Sequence, residues 1–335
     1  MAFKRIGAIA LESGENSVLA ACVDQPNGFA YFGTFTNPAY VIKIRLSDFT
    51  RVGVIELPVL ERFLRSATID QPNGFAYFGS GTTPGRITKI QLSDFTRVGV
   101  LELDTGEDNL YSAAIDQPNG FAYFGSYKVA GKVIKVQLSD FTRAGALSLA
   151  AGENNIQGAV IDQENGLLYF ATTTTPSMII KIQLSDFTRV GSLALSSGET
   201  NALGGVIDGD EGFIYYALNK DPGMIVKIQL SDFTRVGAIT LPAGEVRPYT
   251  AIIDVGRKKA YFGLNQIPGK VVKVRLSDFT REEAITMESG ENYLLAVAHD
   301  LLRGYAYFGL LLTPGIVIKV RVGGAPQTLT VLGLG

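Results

Sequence analysis

Apolar positions along this chain fall in short runs rather than at helical spacing. In one representative stretch, Leu110 to Asp116 is apolar and Phe121 to Ser126 alternates around aromatic residues. Lys132 to Leu138 then alternates valine and isoleucine with lysine and glutamine, and Arg143 to Leu149 follows. Short apolar runs rich in β-branched and aromatic residues predict four strands. Between the first two lies Asp116-Gln117-Pro118-Asn119-Gly120, a hairpin turn in which asparagine or glycine supplies positive φ and the aspartate bonds local amides. Pro84-Gly85, Pro176-Ser177 and Pro222-Gly223 mark turns between second and third strands, and Leu-Ser-Asp-Phe-Thr-Arg separates third from fourth. No stretch sustains a helical period.

The four-strand unit repeats. Ser-Asp-Phe-Thr begins at Ser47, Ser93, Ser139, Ser185, Ser231 and Ser277, a period of 46 residues without insertion or deletion, and seven units account for 322 of the 335 residues. One tyrosine recurs as Tyr31, Tyr77, Tyr123, Tyr169, Tyr215, Tyr261 and Tyr307. Four-stranded units at a period in the forties predict an all-β fold, a seven-bladed β-propeller of antiparallel blades. Arg5 to Leu11 matches a fourth strand but precedes the first unit, while the last unit runs out after its third strand near Val322. The N-terminal strand is therefore expected to complete the last blade. Residues 1–322 read as one propeller domain and 323–335 as a C-terminal tail or linker.

The blade, an apolar strand ending in Asp, then an aromatic-Tyr strand, then Val-Ile-Lys-Val, resembles the YVTN-type seven-bladed propellers. It is similar to repeats of bacterial and archaeal surface proteins that read Phe-Thr-Arg-Val-Gly-Ala-Leu followed by Gly-Glu-Asn. The resemblance covers nearly the whole chain. It implies an extracellular or cell-surface module of a larger multidomain protein, with binding or display more usual than catalysis.

Composition narrows the chemistry. Cys22 is the single cysteine and His299 the single histidine, which excludes an internal disulfide, a thiolate metal site and a histidine cluster. No metal and no cofactor are expected. A net charge of −2 argues against a nucleic-acid partner. No run reaches the length of a membrane span, and Met1-Ala2-Phe3-Lys4-Arg5 lacks the apolar core of a signal peptide. The expectation is a monomeric propeller with no membrane insertion.

Four ionisable positions recur in every unit. Asp24 and its equivalents end the first strands, Lys43 and its equivalents sit in the third, and Arg5, Arg51, Arg97, Arg143, Arg189, Arg235 and Arg281 begin the fourth. Glu15, Glu61, Glu107, Glu153, Glu199, Glu245 and Glu291 occupy the loop before the first strand. A residue present in all seven blades is more simply a blade part than a catalyst. The glutamates are expected to pair with the third-strand lysines; the sharper alternative is an acidic ring that collects cations at the channel mouth.

Where the units disagree, the scaffold is free to vary. The residue leading into the channel-lining strand reads Leu19, Arg65, Tyr111, Gln157, Leu203, Tyr249 and Leu295. Arg65, Tyr111, Gln157 and Tyr249, with Arg247 and Tyr293 nearby, are the candidate mouth residues. Phe35, Tyr40, Arg62, Phe63, Tyr127 and Lys128 are candidate rim residues. Leu310 to Leu312 read as core, or as a protein contact if exposed. His299 and Cys22 replace apolar or small residues of other units, and neither has the partners of a nucleophile and base.

Aromatic side chains beside arginine and amides suit a protein or carbohydrate ligand, so a non-catalytic binding or display scaffold leads. A lactonase- or lyase-like enzyme using Arg65, Tyr111, Glu107, Glu153 and Tyr249 is the second reading. An amplified repeat without a specific ligand is the third.

Overall fold

A computed structural model describes residues 2–323 of the protein. They form seven four-stranded antiparallel sheets. The innermost strands, Val18–Asp24, Leu64–Asp70, Leu110–Asp116, Ile156–Asp162, Ala202–Asp208, Pro248–Asp254 and Leu294–Asp300, each pack against the next, and the seventh against the first. The result is a closed seven-bladed propeller around a central channel. Residues 324–335, and with them the expected tail or linker, lie outside the described residues.

Burial explains the sequence pattern strand by strand. The second strand of every blade, such as Phe121–Ser126, lies between neighbouring blades and is buried at every position but its first. A strand covered on both faces needs apolar residues at successive positions, so the alternation expected of this segment gives way to the continuous run Phe-Ala-Tyr-Phe. The outer strand, such as Thr96–Glu102, is covered on one face only and alternates exposed with half-buried residues. Seven apolar clusters fill the spaces between adjacent blades. In one, Val160, Tyr169, Ile179 and Leu195 of blade four pack on Ile214, Tyr216, Val226 and Ile228 of blade five.

The Ser-Asp-Phe-Thr loop fastens one blade to its predecessor. Phe95 of blade two packs 5.7 Å from Tyr31 of blade one, with the Lys43 ammonium 5.3 Å from the Phe95 ring centroid. Lys43 also lies 4.2 Å over Phe29, so the third-strand lysines sit in aromatic cages at the blade junctions. Burial pulls the ammonium of Lys43 below its usual range, against the opposing pull of Asp24 and Asp94.

The N-terminal strand Lys4–Ala10 pairs antiparallel with Ile316–Arg321, from Lys4 opposite Arg321 to Ala10 opposite Ile316, and so supplies the outer strand of the seventh blade. Phe3 takes the place of the loop phenylalanine there, 5.4 Å from Tyr261.

Every outer strand carries a one-residue bulge. In blade two the register passes from Lys89 opposite Gly99 to Ile90 opposite Arg97, so Val98 has no partner. The bulge residues of five blades, Ile6, Val52, Val98, Val190 and Val236, are among the exposed large apolar side chains. Such bulges twist a sheet edge away from regular pairing with another chain.

Candidate functional site

Alternate residues of the inner strands face the channel, so its wall is three stacked rings. The upper ring is Leu19, Arg65, Tyr111, Gln157, Leu203, Tyr249 and Leu295. The middle ring is alanine in blades one to four and six, with Gly205 and Val297 completing it. A cavity of about 300 Å³ lies within these two rings. The strands crowd where blades four, five and six meet. A Cβ added to Gly158 would lie 2.1 Å from the Leu203 carbonyl, and one on Gly204 would lie 2.5 Å from the Tyr249 carbonyl.

Half of the mouth is built by stacking. The Arg65 guanidinium lies 3.8 Å from the centroid of Phe35 and 4.4 Å from that of Tyr111. Tyr111 stacks on Tyr127 at 4.5 Å and 17°, and Phe35 packs on Phe63 at 4.9 Å. Arg62 adds a longer contact to Phe63, 5.5 Å. Six side chains from three blades thus form one continuous stack that holds the Arg65 guanidinium flat. Arg65 makes no hydrogen bond or ion pair among the described residues, and its Nε is buried without a partner.

Across the mouth, Gln157 Nε2 donates to the Tyr249 hydroxyl at 2.7 Å, joining blades four and six. Burial raises the Tyr249 phenol above its usual range; nearby Arg65 pulls the other way without cancelling it. The hydroxyl therefore keeps its proton near neutrality.

Not every predicted residue joins this site. Arg65, Tyr111, Gln157 and Tyr249 line the cavity; Arg247 and Tyr293 do not. Phe35, Phe63, Arg62 and Tyr127 support it through the stack. Lys128 is taken by Asp108 at 2.7 Å, and Tyr40 packs against the apolar core between blades seven and one. Leu310 is fully buried and Leu312 packs on core, so of that trio only Leu311 is exposed.

The glutamates require a correction. They are between 1% and 5% exposed and lie outside the mouth cavity. Each accepts from the fourth-strand arginine of its own blade, not from the third-strand lysine. Arginine Nε donates at 2.7–3.1 Å, and Nη2 donates to the same carboxylate. The reason is parity. Thr88 donates to Glu61 at 2.9 Å, which puts the glutamate on the Thr88 side of the blade, whereas Lys89 points to the opposite side. Glu107 and Glu153, needed as bases by the enzyme reading, are held by Arg143 and Arg189 in this way. A ring of carboxylates already paired with guanidinium groups is a clamp, not a cation collector. Among the described residues no group of His, Cys, Asp and Glu is arranged to hold a metal ion.

The lower opening differs in character. A cavity of about 560 Å³ is bounded by Val23, Ile69, Ile115, Ile161, Ile207 and His299. Gln25, Gln71, Gln117 and Gln163 close four blade junctions below it by donating to the carbonyls of His299, Val23, Ile69 and Ile115. Burial lowers the His299 imidazole to about 4, outweighing the opposing pull of Asp254, so it is neutral at physiological pH. Cys22 is buried and its thiol pushed upward by burial, with Asp24 adding to the effect, so it is inert.

No helix among the described residues is long and apolar enough to cross a membrane. No protein-family model matches the chain, and no curated protein matches it.

Proposed function

We propose that this propeller is a non-catalytic recognition module that takes a protein or carbohydrate partner at the upper mouth of its channel. One observation carries the reading. Arg65 is held flat between Phe35 and Tyr111 with no carboxylate partner among the described residues, at the place where the repeat is most broken. A scaffold without a ligand has no use for an uncompensated, half-buried cation, since desolvating it costs free energy. The YVTN-type repeat pattern supports a cell-surface or extracellular setting, in which display on a rigid ring suits the role.

The test combines peptide and glycan arrays, probed with wild-type protein and with Arg65→Met. Binding that disappears in the variant, with its melting curve unchanged, is the expected result. Equal array patterns for both proteins would refute the assignment to the mouth. Surface labelling of intact source cells with an antibody to the propeller tests the location.

A further inference from the structure

Resting on that reading of the mouth, we infer that the group recognised there is a carboxylate borne by a polypeptide, an acidic side chain or chain terminus flanked by apolar residues. The distribution of arginines points to the charge. Among the described residues, twelve of the sixteen arginines donate to a carboxylate, and Arg321 donates to the Tyr305 hydroxyl. Three others, Arg62, Arg65 and Arg247, meet no carboxylate among the described residues. All three lie at the upper face, in or just beyond the loops that lead into the inner strands. The acids of those loops are spoken for: the seven glutamates by arginine, Glu12, Asp104 and Glu288 by three of the same arginines, and Asp108 by Lys128. Among the described residues Arg65 is the one charged side chain that lines the mouth cavity, so the cavity itself is positive on a chain whose net charge is −2.

Geometry selects a carboxylate. Phe35 and Tyr111 cover the two faces of the Arg65 guanidinium, so its N–H edge is what remains for a ligand, the arrangement that grips a planar carboxylate. Opposite, the Tyr249 hydroxyl accepts from Gln157, which leaves its own O–H to donate. A guanidinium edge and a phenol proton facing one small cavity match the two oxygens of one carboxylate.

The same stack argues for a peptide rather than an acidic sugar. Pyranose rings bind by lying on open aromatic faces, and here those faces are used within the protein. Tyr111 is covered by Arg65 and Tyr127, and Phe35 by Arg65 and Phe63. The rest of the ring, Leu19, Leu203 and Leu295, offers apolar surface for a neighbouring aliphatic side chain.

Isothermal titration calorimetry with four probes tests this. They are an acetylated, amidated octapeptide with one glutamate between leucines, its Glu→Gln counterpart, the glutamine peptide with a free C-terminal carboxylate, and a glucuronate tetrasaccharide. The expected result is at least about tenfold tighter binding of either carboxylate peptide than of the amidated glutamine peptide. The preference weakens as salt is raised. It shrinks to within about twofold in Arg65→Met, and Gln157→Leu, on the other side of the mouth, reduces it too. Equal binding of all peptides to the wild type overturns the carboxylate inference while leaving the mouth as a binding surface. Binding of the glucuronate alone overturns the polypeptide assignment. If no probe binds the wild type, the reading of the mouth falls as well.

Discussion

Ring closure places a specific load on Arg5. Its guanidinium joins the N-terminal strand to Glu291, whose residue is 5% exposed. In Arg5→Met the Glu291 carboxylate loses both guanidinium hydrogen bonds and keeps the Glu288 amide at 2.9 Å. Stranding one partner of a buried ion pair costs about 3–5 kcal/mol. The Arg5 side chain is 20% exposed, so solvent reaches the pair and the lower end, about 3 kcal/mol, applies. With an unfolding entropy of about 2.1 cal/mol/K per residue, a propeller of this length melting as one unit loses roughly 4 °C in Tm. Arg5→Met/Glu291→Met, which removes the orphaned charge, should recover most of that loss. Urea and thermal unfolding can be followed by tyrosine fluorescence, since the chain has no tryptophan. Arg97→Met, which breaks the equivalent pair with Glu61 inside the ring, is the control for closure. It should match Arg5→Met in stability but not share its faster proteolysis of the N-terminal strand. A loss below about 1 kcal/mol in Arg5→Met, or a double variant no more stable than the single, would show that the pair does not hold the ring.

Other consequences are local. Gly158→Ala drives a methyl group against the Leu203 carbonyl and should cost about 1–3 kcal/mol in urea denaturation, whereas Gly145→Ala, with open space around it, should stay within about 0.5 kcal/mol. The Tyr123 hydroxyl is buried without a hydrogen-bond partner among the described residues, so Tyr123→Phe should be neutral or stabilising; a loss above about 1 kcal/mol would reveal a bond there. His299, lowered to about 4 from an unfolded value near 6.5, binds its proton more readily in the unfolded chain. Stability should therefore fall by up to about 3 kcal/mol as pH drops from about 6.5 to 4. His299→Ile, the residue of five other blades, should remove that step from the difference between the two pH profiles.

The blade was legible in the chain because its signals are local. A period of 46, turns at fixed offsets and a strand apolar at successive positions each depend on neighbours a few residues away. The mouth was legible in part for a related reason. Strand alternation assigns Arg65, Tyr111, Gln157 and Tyr249 to the channel wall once the inner strand is recognised. What alternation cannot give is who stacks on whom. Phe35 comes from a loop of blade one, Arg65 from blade two and Tyr111 and Tyr127 from blade three, and only the packing of these neighbouring blades brings them into one stack. The link between Gln157 and Tyr249, 92 positions apart, skips a whole blade and has no signature in the repeat.

The glutamate ring marks the boundary most clearly. By itself the sequence determined that seven glutamates, seven lysines and seven arginines recur in step, and that a residue repeated in every blade belongs to the scaffold. Which base each glutamate takes was decided by one extra residue in the outer strand. Without the bulge at Val98, Arg97 would share a face with Lys89; with it, Arg97 stands opposite Ile90, on the face where Thr88 meets Glu61. A one-residue offset turns a side chain to the other side of a sheet. That offset is set by how two strands pair, which no reading of either strand alone contains.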